Sequence, residues 1–145
     1  MHRAAAFDMK VWYYDVLRPT PAEETAEFHE RDELLRDSDF VSLHVDLNPT
    51  SRKLMSDAEL SLMKPMAFLI NSARQELVDE EALVAAIESK QIAGAGLDDP
   101  PGPAAKTLLG TPNVVFTTHM GNRAIEGVRG VFRSADGGRT WDHIL

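Results

Sequence analysis

The chain has 145 residues, of which 43% are apolar and 26% charged, the balance of one globular domain rather than of a disordered segment. Acidic residues number 23 against 15 Lys and Arg, and the net charge of -8 argues against nucleic acid or an anionic membrane surface as the main partner. The absence of cysteine excludes disulfides, thiolate metal sites and thiol nucleophiles, and it fits a reducing cytoplasm.

Short apolar runs alternate with helical stretches along most of the chain. Residues 4–7 have the composition of a helix end, and residues 11–14 predict a strand that ends at Asp15. Residues 40–45 predict a second strand. The apolar run at residues 66–70 predicts a buried strand but is far shorter than the roughly 20 residues of a membrane span.

Two helices have recognisable start signals. Ser56 and Glu59 form a capping-box pattern, and the helix that they begin must end before Pro65. Asp79 predicts the cap of a second helix over residues 80–90, which carries one apolar stripe.

Two further strands are predicted, at residues 93–97, which lead into Asp98, and at residues 114–116, which lead to His119. Strands that alternate with helices predict βαβ units and a parallel sheet, so the expected fold class is α/β, with a doubly wound parallel sheet.

Polar residues collect where the predicted strands end, which is where ligands bind in an open parallel sheet. They are Asp15, His44, residues 71–74, Asp98 and His119. A carboxylate suits a ribose diol, an arginine suits a substrate carboxylate, and a histidine exchanges protons near neutral pH. Together they favour redox chemistry on a small hydroxy or keto acid. Taken singly, each is as readily a turn residue or a surface ion pair, and we expect His44 to be structural.

Five motifs in order carry a more specific signal. They are SDFVSLHV at 38–45, MKPMAFLINSAR at 63–74, ELVDEEAL at 76–83, IAGAGLD at 92–98 and PNVVFTTHMG at 112–121. This series resembles the NAD-binding domain of the D-isomer-specific 2-hydroxyacid dehydrogenases, the family of phosphoglycerate dehydrogenase and glyoxylate/hydroxypyruvate reductase. The resemblance covers about residues 4–127 and implies a Rossmann-type sheet with NAD as cofactor.

The resemblance also implies a role for each matching residue. Arg74 matches the catalytic arginine that holds the substrate carboxylate and keto oxygen. His119 matches the general acid/base that takes the hydroxyl proton as hydride leaves. Asp15 matches the acid that binds the adenosine ribose and favours NAD over NADP, since a carboxylate repels a 2′-phosphate. Asp98 matches an acid near the nicotinamide carboxamide. The other matches to cofactor-contacting positions are Asn48, Ser72, Ala73, Met120, Gly121 and Asn122, and the resemblance implies no metal.

The match also has gaps. The Gly-rich phosphate loop and first strand of the family are missing, so we expect residues 1–127 to be an incomplete NAD-binding domain with an unfilled position in its sheet. The family's substrate domain is missing as well. The family glutamate that pairs with the histidine has no counterpart between residues 99 and 105. Asp99 is the nearest carboxylate, but it directly follows Asp98 and need not face His119.

Residues 128–145 form a tail of different character. The run SADGGRTW at 134–141 is similar to an Asp-box hairpin, in which Asp-Gly-Gly forms the turn and the tryptophan packs over it. A chance match in a frayed terminus is the alternative. We expect the chain to be a fragment or fusion joined near residues 130–134.

These features favour the NAD-binding domain of an oxidoreductase that transfers hydride between NAD and a 2-hydroxy acid, inactive as an isolated chain. The alternatives are an NAD(H)-sensing, corepressor-like binding module without turnover and a non-functional gene fragment. The expected partners are a small 2-hydroxy or 2-keto acid and, in a full-length enzyme, a second copy forming a homodimer. The expected location is the cytoplasm.

Overall fold

A computed structural model describes residues 4, 7–17, 26–119, 132–133 and 142–143. Within them the helices are α1 (Arg31–Asp37), α2 (Asp57–Leu62) and α3 (Glu80–Glu88), and short 3₁₀ helices cover Gln75–Leu77 and Ala105–Leu108. The strands are β1 (Trp12–Tyr13), β2 (Glu27–Phe28), β3 (Phe40–Leu43), β4 (Phe68–Asn71), β5 (Gly94–Leu97), β6 (Val114–Phe116), β7 (Phe132–Arg133) and β8 (Asp142–His143).

The central feature is a parallel four-stranded sheet in the order β3-β4-β5-β6. Its register aligns Val41 with Leu69, Leu69 with Ala95, and Ala95 with Val114. Strands β1 and β2 form a separate parallel pair. The predicted α/β class and parallel sheet are confirmed. Among the described strands, this pair and the four-stranded sheet share no hydrogen-bonded ladder.

The helices and the four-stranded sheet bury one apolar core. Its fully buried side chains are Leu60, Leu69, Leu77, Leu83, Ile92 and Leu108. Along β3, Val41 and Leu43 are buried in this core, whereas Phe40 is 57% exposed on the opposite face. Val115 on β6 is 59% exposed as well. Strand alternation therefore gives the sheet one face packed against helices and one apolar face that the described residues leave open.

Both predicted helix starts are present. The Glu59 carboxylate accepts hydrogen bonds from the backbone N–H of Ser56, at 3.2 Å, and from its hydroxyl. Burial raises the pKa of Glu59, but these bonds and nearby Arg31 outweigh that effect and leave it lowered overall. At α3, Asp79 caps the helix by accepting from the backbone N–H of Glu81 and pairs with Lys53 at 2.9 Å.

The sequence analysis predicted neither β2 nor α1. Strand β2 has only two residues, too few for an alternating pattern. Helix α1 begins at Arg31, its N-cap Glu30 makes no side-chain cap hydrogen bond, and Leu35 is its buried residue. A short helix with so few local signals forms because tertiary packing stabilises it.

Strands β7 and β8 pair antiparallel, with Phe132 opposite His143 and Arg133 opposite Asp142. This pairing is what a hairpin around residues 134–141 requires, while the Asp-box pattern itself lies outside the described residues. Among the residues that the structure describes, no helix is long and apolar enough to cross a membrane.

Candidate active site

Three strands bring their polar ends to one edge of the sheet. Residues 71–74 follow β4, Asp98 and Asp99 follow β5, and residues 117–119 follow β6. Because β4, β5 and β6 are parallel and adjacent, their carboxyl ends lie side by side. The sequence analysis predicted a ligand site at this edge.

Asn71 shapes the turn that presents Arg74. Its side chain is buried, with Oδ1 accepting from the Ala73 N–H at 3.0 Å and Nδ2 donating to the Arg74 carbonyl at 2.8 Å. A buried amide that is bonded on both sides fixes the local backbone. The sequence analysis gave Asn71 no role. The signal was an asparagine at the end of an otherwise apolar run.

Arg74 and His119 are in contact across this edge. The guanidinium Nη1 of Arg74 lies 3.2 Å from Nε2 of His119. Arginine can only donate, so Nε2 is the acceptor and carries no proton. His119 has a φ of 56°, in the left-handed region that side chains other than glycine rarely adopt. Such conformations persist where the surrounding structure fixes them, often at functional sites.

The other ring nitrogen of His119 faces Asp99. Nδ1 lies 2.8 Å from Oδ1 of Asp99, and both side chains are partly buried, at 30% and 22% exposure. The second oxygen of Asp99 accepts the backbone N–H of Gln75 at 2.9 Å. These contacts place the ring proton on Nδ1. The question that the sequence left open is answered: Asp99 faces His119 and takes the position of a carboxylate partner.

Asp98 is held between two neighbouring strands. Its backbone N–H donates to the Asn71 carbonyl at 2.8 Å, and its Oδ1 accepts from the Thr117 hydroxyl. Asp98 therefore lies at the same edge as Arg74 and His119.

Asp15 lies on the other sheet, at the end of β1. It is exposed, and its Oδ1 accepts the backbone N–H of Leu17 at 2.9 Å. Within the described residues Oδ2 accepts no hydrogen bond. An exposed carboxylate of this kind is suited to ribose hydroxyls.

The other residues that were predicted to contact the cofactor differ in their hydrogen bonds and in their exposure. Asn48 closes its own turn by accepting from the N–H groups of Thr50, at 2.9 Å, and Ser51, at 3.0 Å. Ser72 is exposed and Ala73 half-buried in the turn before Arg74. Met120, Gly121 and Asn122 lie outside the described residues.

His44, which the sequence analysis expected to be structural, follows directly after β3. The structure does not pack its ring, which is exposed and makes a 2.9 Å contact to the hydroxyl of Ser42.

Comparison with known proteins identifies the chain. The model of "D-isomer specific 2-hydroxyacid dehydrogenase, NAD binding domain" matches residues 1–121. The chain belongs to the D-isomer specific 2-hydroxyacid dehydrogenase family. It is 41% identical over 133 residues to glyoxylate reductase of Thermococcus litoralis, which covers 89% of this chain and 40% of that protein. It is 37% identical over 130 residues to D-3-phosphoglycerate dehydrogenase of Escherichia coli K12, with coverage of 85% and 32%.

A solved structure agrees with the family. The NAD-complexed D-isomer specific 2-hydroxyacid dehydrogenase of Lactobacillus delbrueckii ssp. bulgaricus superposes with a TM-score of 0.76 and 36% identity, over 81% of this chain and 41% of that one. The matched region is the family's NAD-binding domain, so the predicted family and cofactor are confirmed. The chain spans about 40% of the length of the glyoxylate reductase that it matches.

The residues present fit NAD at its two ends. Asp15 offers an exposed carboxylate for a ribose diol, and the edge with Asp98, Arg74 and His119 offers hydrogen-bonding groups for the reacting end. The sequence contains no Gly-x-Gly-x-x-Gly, so the 145 residues hold no match to the phosphate-binding turn. No group of three or more His, Asp or Glu side chains within the described part of the chain could hold a metal ion.

Proposed function

We propose that this domain supplies the acid/base and substrate-holding groups of an NAD-dependent oxidoreductase that interconverts 2-hydroxy and 2-keto acids. The observation that carries the proposal is the continuous contact Asp99–His119–Arg74 at the carboxyl edge of the parallel sheet. In this contact a carboxylate orients an imidazole, and the imidazole lies beside a guanidinium. Oxidation of a hydroxy acid needs the imidazole to take a proton and the guanidinium to hold the substrate carboxylate.

Arg74 holds the substrate carboxylate in this proposal. A guanidinium has five N–H donors, so one can contact His119 while others bind a carboxylate in a bidentate pair. The same residue can donate to the keto oxygen and polarise it. Its exposure leaves these donors accessible.

His119 exchanges the proton. Its Nε2 has no proton while Nδ1 is bonded to Asp99, so Nε2 can accept the hydroxyl proton as the substrate is oxidised. Asp99 fixes the ring tautomer and stabilises the imidazolium that forms. In the reverse direction Nε2 returns that proton to the keto oxygen.

The cofactor, when bound, accepts or supplies the hydride. For this chain we propose that Asp15 binds the adenosine ribose and Asp98 lies near the nicotinamide, with Arg74 and His119 also bordering the cofactor. Further cofactor contacts are proposed for Asn48, Ser72, Ala73, Met120, Gly121 and Asn122. Asn48 would contribute through the shape of its turn, because its side chain is already engaged.

The same contacts favour turnover over a sensing role. A module that only binds NAD(H) needs a ribose carboxylate but has no use for an oriented acid/base pair. Here His119 is held on both ring nitrogens and in a left-handed backbone conformation. That arrangement has a catalytic use and no evident use in binding alone.

Domain limits and assembly are part of the proposal. We place an NAD-binding domain at residues 1–127 and a separate tail at 128–145, supported by the end of the family match at residue 121 and by the antiparallel β7–β8 pair. For a full-length enzyme we propose a cytoplasmic homodimer. Phe7, at 80% exposure, and Met9, at 47%, precede β1 and offer apolar surface for such contact.

A chimera tests the function directly. Residues 4–119 would replace the matching segment of the Thermococcus litoralis glyoxylate reductase, and reduction of glyoxylate or hydroxypyruvate by NADH would be followed. We expect turnover that Arg74→Ala abolishes. A folded, NADH-binding chimera without turnover on any 2-keto acid would favour the sensing module instead.

A further inference from the structure

Glu80, the first residue of α3, forms hydrogen bonds with two residues that position Asp99. Its Oε1 accepts the backbone N–H of Gly102 at 2.7 Å and also the side-chain amide of Gln75. Gln75 donates its own backbone N–H to Asp99 at 2.9 Å. One carboxylate therefore contacts both segments that determine where Asp99 lies.

The loop after Asp99 is stiff. Residues 100, 101 and 103 are prolines, which have no backbone N–H and a fixed φ. Gly102 is thus the only residue of this stretch that can donate a backbone hydrogen bond, and that bond goes to Glu80. Proline restricts the backbone between Asp99 and Gly102 to few conformations, so the hydrogen bond that fixes Gly102 also restrains Asp99.

The space next to Gly102 is filled by the side chains of Glu80 and Gln75. A Cβ built there would overlap both carboxylate oxygens of Glu80 and the amide nitrogen of Gln75. Any larger residue would have to push the Glu80 carboxylate away. The Gly102 position therefore gives a second, independent way to open the same contact.

We propose that Glu80 is a positioning residue that keeps Asp99 against Nδ1 of His119 by clamping Gly102 and Gln75. It acts through Asp99 and touches neither substrate nor cofactor. The inference rests on the proposed function only in taking His119 as the acid/base. Without the clamp, Asp99 loses its fixed position and the His119 ring samples the tautomer that carries the proton on Nε2.

Nitrogen-15 NMR of the histidine ring measures that tautomer directly in the 145-residue chain. His119→Gln assigns the resonances. We expect His119 to carry its proton on Nδ1 in the parent chain. Glu80→Ala and Gly102→Ala should each shift the tautomer ratio towards Nε2 by roughly fivefold to tenfold, the effect of one lost hydrogen bond. The matched control is Glu81→Ala, a change at the exposed next residue of the same helix, which should leave the ratio unchanged.

A double variant and an Asp99 variant complete the test. Glu80→Ala with Gly102→Ala should shift the ratio no further than either change alone, because both open one contact. If Glu80→Ala lowers the melting temperature but leaves the ratio as in Glu81→Ala, the residue is only structural and the inference is wrong. If Asp99→Ala fails to move the ratio, the Asp99–His119 pair and the clamp are both wrong. If the clamp variants behave as expected while the chimera stays inactive, the proposed function fails and the clamp stands.

Discussion

Asp99 and His119 meet at 2.8 Å although they are 20 residues apart in the chain and follow different strands. The contact orients the His119 ring so that its other nitrogen, Nε2, meets the guanidinium of Arg74. Asp99 thus gives the His119 ring a carboxylate partner.

His119→Gln in the chimera should lower kcat by roughly 10²–10⁴-fold, because glutamine cannot exchange the substrate proton. Steady-state kinetics with glyoxylate measures this. His44→Gln is the control, and since that ring is exposed it should change neither kcat nor the melting temperature appreciably. A larger loss at His44 than at His119 would reverse the assignment.

Asp99→Asn in the chimera should reduce kcat by roughly 10- to 150-fold, because a neutral amide no longer stabilises the imidazolium that forms on His119 and hydrogen bonds to charged groups contribute about 1.5–3 kcal/mol. KM should change little, because Asp99 does not touch the substrate in the proposed arrangement. Asp37→Asn, an exposed change at the end of α1, serves as the control. A raised KM with unchanged kcat would mean that Asp99 contributes to substrate binding rather than to proton exchange.

The 145-residue chain should bind NADH weakly and in preference to NADPH, because Asp15 repels a 2′-phosphate. Fluorescence titration with each nucleotide compares the two affinities. Asp15→Asn should remove most of the preference, with Asp8→Asn, a change at an exposed carboxylate before β1, as the control. Equal or tighter NADPH binding by the parent chain would remove the role given to Asp15.

Glu59→Gln should destabilise the chain at neutral pH by about 1 kcal/mol, the usual worth of a helix cap. The pKa of Glu59 is lowered from 4.5 in the folded protein, so its stabilising effect is complete above that value and is lost as pH falls through the lower folded pKa. Denaturant melts of both proteins between pH 3 and pH 7 should therefore converge at the acid end. A difference that stays constant with pH would mean that the charge of Glu59 is not involved.

The isolated chain should show no useful turnover of glyoxylate or hydroxypyruvate. Positioning of reactants can supply roughly 7–11 kcal/mol of a barrier, and these residues include neither a phosphate loop nor a second domain to close over the substrate. Its open apolar sheet face, with Phe40 and Val115 exposed, should also promote aggregation. Val115→Lys should reduce light scattering, whereas Lys90→Arg should not. Arg74-dependent turnover by the purified monomer would contradict the first expectation.

The fold class, the main strands and the sheet edge that carries the polar residues could all be predicted from the amino-acid sequence. Apolar runs, helix caps and strand ends are local patterns, and a parallel sheet places the ends of β4, β5 and β6 together whatever the details of packing. For this reason Arg74 and His119 could be placed at the same edge of the sheet.

The Asp99–His119 contact, helix α1 and strand β2 could not be predicted in this way, because they depend on packing between distant segments. Whether Asp99 faces His119 depends on a proline-rich loop held by Glu80 and on the backbone N–H of Gln75, contacts that join segments distant in sequence. Helix α1 and strand β2 are likewise too short to be specified locally and form through packing. Local patterns fix where a residue lies along an element, whereas the direction of a loop side chain is set by its partners across the fold.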